Sequence, residues 1–201
     1  MVEPRHPLTL RGRSVTLVPL TPEHRAPLLA IAQATPEQFR FTSTPITERE
    51  ADAYFERAFS ERAQGLAYPF ALLVAGEVVG TSRYAELSHA KRSCELGFTW
   101  LAPAVQGTTV NLESKYLMLR HAFETLELLR VHFYTDARNS RSERAIRKLG
   151  AIFEGTLRAE RVMKDGFVRD TLLFSIIYRE WPEVKAGLEA QLTARLGKAA
   201  P

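Results

Sequence analysis

The chain has 201 residues, with 27 basic and 23 acidic side chains, a formal net charge of +4. That length supports one domain, or one domain with a tail, and 45% hydrophobic residues suffice for a core. The charge is too small to identify a nucleic-acid binder and suits an anionic small ligand equally well. A single cysteine, Cys94, excludes an internal disulfide and fits a reducing cytoplasm. Met1 to Pro7 contain no apolar run of signal-peptide length, no stretch approaches a membrane span, and no repeat is visible.

Ser14 to Leu20 alternates and predicts a strand ending at Pro19. Thr21-Pro22-Glu23 then opens a helix to about Ala34, with a capping residue followed by proline at the first helical position. Thr47 and Glu50 have capping-box spacing and start a helix to about Gly65, with Ala51, Tyr54, Phe55, Ala58 and Phe59 as its buried stripe. Tyr68–Val74 and Glu77–Ala85 are expected strands, joined by a hairpin turn at Gly76-Glu77. After the polar turn Ser88–Ser93, Cys94–Leu101 is the next strand. Leu112, Tyr116, Leu119, Phe123 and Leu126 recur at the helical period, so a long helix is expected from Leu112 to Leu128. Val131–Thr135 is a strand, Asp136–Ser140 a turn, and Arg141–Leu149 a short helix with Gly150 at its C-terminal cap. Ile152-Phe153 with Leu157–Val162, then Thr171–Tyr178, give two strands around a hairpin at Asp165-Gly166. A terminal helix is expected over Glu183–Leu196, fraying into Gly197–Pro201. The order β-α-α-β-β-β-α-β-α-β-β is an α/β fold with a mixed, largely antiparallel sheet. The strands before and after the long helix are expected as parallel neighbours by the crossover rule.

The stretch Gln106-Gly107-Thr108-Thr109-Val110-Asn111 lies between a strand and that helix. The first N–H groups of a helix have no internal partner, and its dipole adds partial positive charge, so phosphate binds there readily. Gly107 allows a close approach. The same pattern also fits an ordinary strand-to-helix turn.

Several motifs together resemble the GNAT superfamily of N-acetyltransferases, and most closely its RimJ/RimL-type branch. They are Gln106-Gly107, Glu113, Asn139-Ser140-Arg141-Ser142, Lys148-Leu149-Gly150-Ala151, Glu154-Gly155 and Glu180-Trp181. The resemblance covers roughly Leu8 to Pro182, which makes 1–182 a single acetyltransferase domain and 183–201 a C-terminal helix and tail. It implies that the strand Glu95–Leu101 splays from its parallel partner. Backbone groups of Thr99, Trp100 and Leu101 would then pair with the pantetheine arm of acetyl-CoA, while the N–H groups of Gly107, Thr108, Thr109, Val110 and Asn111, with Gln106, hold the pyrophosphate. Asn139 would bond the pantetheine, and Ser142 would stand near the thioester sulfur. Arg144, in the basic helix of Arg138, Arg141, Arg147 and Lys148, is a candidate for the ribose phosphate. Thr109 departs from the family pattern, which usually has a second glycine there.

Glu95, a charged residue among Cys94, Leu96 and Phe98, is placed to take the proton of an attacking amine. The plain alternative is a solvated or ion-paired glutamate. Tyr134, His132 and Glu86 are weaker candidates. His24, His89 and His121 lack metal-ligand spacing, so no metal is expected. The resemblance implies a cytoplasmic acetyl-CoA-dependent N-acetyltransferase acting on a protein N-terminus or small amine, with a possible homodimer through the last strands. The competing readings are a non-catalytic coenzyme A or acyl-CoA binding module and a nucleic-acid binder. The small net charge and the lack of aromatics interleaved with the basic helix argue against the last.

Overall fold

The computed structural model describes residues 8–197; Met1 to Pro7 and the end of the expected fraying tail, 198–201, lie outside the described residues. Eight strands form one sheet in the order β1-β2-β3-β4-β5-β6-β8-β7. They are β1 (Leu10–Arg11), β2 (Thr16–Pro19), β3 (Tyr68–Val74), β4 (Glu77–Ser88), β5 (Ser93–Leu101), β6 (Arg130–Asp136), β7 (Ile152–Val162) and β8 (Val168–Ile177). The helices are α1 (Arg25–Ala34), α2 (Glu48–Ala63), α3 (Thr109–Arg120), α4 (Ser140–Lys148) and α5 (Trp181–Leu196). Every neighbouring pair of strands is antiparallel except β5 and β6, which run parallel as the crossover rule requires.

Two clusters of apolar side chains cover the two faces of the sheet. Cys94 and Leu96 of β5, Val131 and Phe133 of β6, and Phe174 and Ile176 of β8 pack with α3, α4 and α5 in the larger one. Leu20, Ala71 and Trp100 pack with α1 and α2 in the other. The period-2 alternation of strands therefore sends Glu95, His132, Tyr134, Arg169 and Thr171 to the α1/α2 face. The predicted capping box at α2 is formed: Thr47 Oγ1 accepts from Glu50 N at 3.3 Å and Glu50 Oε2 accepts from Thr47 N at 3.2 Å. Such a cap stabilises a helix by about 1 kcal/mol.

Several expectations are corrected. The short strand β1 at Leu10–Arg11 carries too few residues to show a period, and the strand predicted from Ser14 is confined to Thr16–Pro19. The first helix opens with a 3-10 turn, Pro22–His24, before α1 starts at Arg25. The hairpin turn is Ala75-Gly76, one residue earlier than expected, because both adopt positive φ (51° and 88°) and Val74 pairs with Glu77. The long helix begins at Thr109, not Leu112, and its last turn, His121–Thr125, is a π-helix. Its buried surface is also wider than the predicted stripe. Val110, Leu117 and Met118 are buried while Tyr116 is only half-buried, since α3 is enclosed by the sheet and α5. α4 starts at Ser140 and α5 at Trp181, the latter placing Trp181, Leu188 and Leu192 in the core. The hairpin at Asp165-Gly166 is where the sequence places it, with Asp165 Oδ1 accepting from Phe167 N at 3.0 Å.

Candidate active site

β5 and β6 pair only over Ser93↔Arg130, Cys94↔Val131 and Glu95↔His132. Beyond Glu95 the two strands part. β5 continues beside β4 to Leu101, and β6 continues beside β8 to Asp136. The result is a V-shaped slot whose edges carry unpaired backbone groups, with Glu95 and His132 at its apex. An irregularity in β5 opposite Thr81–Arg83 aids the divergence, and Phe98 there has φ 52°.

The rims of the V are the two loops singled out in the sequence. At the end of β5, Gln106 Nε2 donates to the Leu101 carbonyl at 2.9 Å, so that carbonyl is already occupied, and Trp100 is in register with Thr81 of β4. Gly107 has φ 77° and open space where a Cβ would stand. Thr108 is the N-cap of α3, and its hydroxyl accepts from Val110 N at 3.3 Å. Thr109 is the first helical residue, so its side chain needs no unusual backbone, and the departure from a second glycine carries no strain here. The N–H groups of Thr109, Val110 and Asn111 open the helix together. Asn111 adds a buried Oδ1 that has no hydrogen-bond partner.

At the end of β6, Asn139 is the N-cap of α4: its Oδ1 accepts from Ser142 N at 3.0 Å. Asn139 is thus held in one orientation and buried, while the Ser142 hydroxyl, half-buried, forms no hydrogen bond among the described residues. Arg141 Nη1 donates to Gln106 Oε1 at 2.9 Å and Arg141 Nη2 to the Gln38 carbonyl at 3.1 Å, so the rims are joined across the slot. Of the basic helix, Arg138 pairs with Asp136 at 2.8 Å and Arg147 with Glu143 at 2.9 Å. Arg144 is exposed and has no ion pair among the described residues.

Glu95 lies on the α1/α2 face, its carboxylate folded over Gly97, where an added Cβ would stand 2.2 Å from Oε1. Burial, reinforced by nearby Glu86, raises its pKa to about 7, against the opposing pull of Arg161, Arg83 and Lys115. A cleft of about 340 Å³ beside it is lined by residues that include Glu86, His132 and Tyr134. His132 lies 3.3 Å from Glu86, and burial lowers its pKa. The larger concavity, about 610 Å³ beside Trp181 and Tyr178, lies at the opposite end of the sheet from Gly107. The side chain of Trp100 is core, edge-to-face with Tyr54 at 5.0 Å. The thiol of Cys94 is buried and its pKa is pushed up, so it is inert as a nucleophile.

Three buried cations escape a reading of the sequence alone. Lys115 of α3 is enclosed beneath β5, its Nζ donating to Thr99 Oγ1 at 2.6 Å and Ser82 Oγ at 2.9 Å. Burial lowers its pKa to about 7, opposed by Glu95. The signal exists: Lys115 follows Leu112 by three residues and precedes Leu119 by four, on the buried face of the helix. Arg83 of β4 is fully buried, and Arg169 of β8 nearly so; only the third dimension shows what surrounds them. Among the described residues no group of His, Cys, Asp and Glu could hold a metal, and no helix is long and apolar enough to cross a membrane.

Residues 14–152 match the model of the acetyltransferase (GNAT) domain family. A solved structure described as a putative acetyltransferase from T. thermophilus is 39% identical, covers 94% of this chain and 98% of its own, and superposes with a TM-score of 0.83. Mycobacterium smegmatis RimJ in complex with CoA-disulfide, 24% identical over 96% of each chain with a TM-score of 0.80, shares the fold. The "Putative ribosomal N-acetyltransferase YdaF" of Bacillus subtilis (strain 168) is 28% identical over 110 residues, 55% of this chain and 59% of that relative. The parallel pair that splays at Glu95, the helix start at Thr109 and these likenesses agree, and the chain belongs to the GNAT family of acetyltransferases.

Proposed function

We propose that the chain transfers an acetyl group from acetyl-CoA to a primary amine, a protein N-terminus or a small amine, by direct attack. The carrying observation is the V between β5 and β6 with Glu95 at its apex. The residues fit the cosubstrate: open backbone edges suit the pantetheine amides, and the start of α3 beside Gly107, where only the long 3.3 Å cap from Thr108 to Val110 N competes, suits a pyrophosphate. Bound acetyl-CoA supplies an electrophilic thioester carbonyl. Glu95, poised near neutrality, accepts a proton from the incoming ammonium and frees the lone pair that forms the N–C bond. Backbone N–H groups near Thr99 and Trp100 polarise the carbonyl. As the C–S bond breaks, the Ser142 hydroxyl supplies or shares a proton with the leaving sulfur. Asn139 orients the pantetheine arm, and Arg144 meets the ribose phosphate. Membership of the GNAT family and the likeness to YdaF support an amine acceptor.

The test is thiol release from acetyl-CoA against a panel of amines and N-terminal peptides. Turnover with at least one amine, lost roughly 10²–10⁴-fold in Glu95→Gln, is the expected result. Tight coenzyme binding with no thiol release for any acceptor would favour a non-catalytic coenzyme A module.

A further inference from the structure

The α1/α2 face beside Glu95 holds two arginines whose hydrogen-bonding capacity is not fully used by the protein. Arg169 has a relative exposure of 5%, and its side chain forms no hydrogen bond or ion pair among the described residues. Its Nε is a buried donor without a partner, and its cross-strand neighbour in the β7–β8 register is another arginine, Arg161. Arg161 is itself occupied by Glu160, at 2.6 Å. On the other side of Glu95, the guanidinium of Arg83 is fully buried between the rings of Tyr54 (4.8 Å) and Phe98 (4.5 Å). Only its Nη1 is paired, with Glu61 at 3.0 Å; Nε and Nη2 have no partner.

A buried charge without a partner costs several kcal/mol. Proteins keep such groups where a ligand completes them. Guanidinium is suited to this, because its planar fork matches a carboxylate with two parallel hydrogen bonds. Glu61 and Glu160 take Arg83 and Arg161, whereas no carboxylate among the described residues bonds Arg169, so a ligand carboxylate would be the first to pair with it.

We propose that the acceptor amine carries a carboxylate close to its amino group, and that the guanidinium of Arg169 binds it. This inference rests on the acceptor site proposed above and narrows its substrate class. The carboxylate has two sources: the α-carboxylate of a free amino acid, or an acidic side chain near a peptide N-terminus.

Two sets of matched acceptors separate them. Free amino acids are compared with their carboxamides, and short peptide amides with Asp at the second position are compared with the same peptides bearing Asn. kcat/KM by thiol release and affinity for the coenzyme A-loaded protein by calorimetry are both measured. The carboxylate member of one set is preferred by roughly 10–100-fold, the worth of one or two charge-assisted hydrogen bonds. Arg169→Gln erases that preference by raising KM for the carboxylate acceptor, and it raises the melting temperature of the free protein, because an uncompensated buried charge is removed. Equal use and equal binding of both members in both sets overturn the inference, as does a lowered melting temperature in Arg169→Gln. A binding preference without any thiol release leaves the carboxylate site standing and sinks the transferase reading.

Discussion

Replacing Lys115 by methionine isolates a cost that the structure locates at one atom. The ammonium is fully buried, and its pKa of about 7 stands well below the ordinary 10.5. A tenfold change in proton affinity corresponds to about 1.4 kcal/mol, so protonated Lys115 costs the folded state about 5 kcal/mol, as an order of magnitude. The unfolded chain binds this proton more tightly, so stability falls as the pH drops from about 10.5 to about 7 and is then flat for this group. Within that window the slope is about 1.4 kcal/mol per pH unit. Methionine fills similar volume without the charge. Ser82 and Thr99 lose a donor, but they still bond each other at 2.9 Å. The net prediction for Lys115→Met at pH 7 is a stabilisation of about 1–3 kcal/mol, the desolvation recovered less the hydrogen bonds lost. The assay is urea unfolding of both proteins from pH 6 to 10. The difference between the two stability curves should shrink steadily as the pH rises above 7. Parallel curves, or a destabilised variant, would refute a buried lysine near its neutral point.

Glu95 acts in the neighbouring window with the opposite slope. Its folded pKa of about 7 lies above the ordinary 4.5, so its contribution to stability is full below pH 4.5 and is lost as the pH rises to 7. Glu95→Gln should flatten stability between pH 4.5 and 7, and unaltered pH dependence in urea unfolding would count against the assignment. In the wild type, kcat/KM should rise with pH through about 7, a limb that this variant lacks. Gly107→Val should abolish acetyl-CoA binding, since a β-branched residue at φ 77° is strained and its side chain fills the open space over the helix start. Normal affinity by calorimetry would move the pyrophosphate elsewhere. Asn139→Ala should cost about 1 kcal/mol of stability through the lost cap of α4 and weaken acetyl-CoA binding about tenfold. A variant that loses only the stability would leave Asn139 a cap and nothing more.

What the sequence could reveal divides along physical lines. Local hydrogen bonding was legible: the capping box at Thr47, the turn at Asp165-Gly166 and the glycine that ends α4 at Gly150 depend on residues within four of one another. The start of α3 was misplaced because the apolar period begins only at Leu112, while the hydroxyl of Thr108 caps the helix a turn earlier. The π-turn at His121 left no mark, because the same apolar spacing fits an unbroken helix. Glu95 stood out as a charge in an apolar strand. Arg83 and Arg169 did not, because strands alternate and an arginine at every other position normally faces water. Their burial comes from Tyr54 and Phe98 against Arg83, and from the face that β7 and β8 share with Glu95. The slot itself is made by backbone that fails to pair beyond Glu95, and unpaired backbone has no side-chain signature.

The central claim is that this slot takes acetyl-CoA, and its most direct test is the melting temperature with and without the coenzyme in large excess. At about 100 times the dissociation constant the ligand stabilises the folded state by roughly 2.7 kcal/mol, a rise of about 5–10 °C for a domain of this size. A rise of that order, lost in Gly107→Val, is the predicted result. An unmoved melting temperature at millimolar acetyl-CoA would contradict the account.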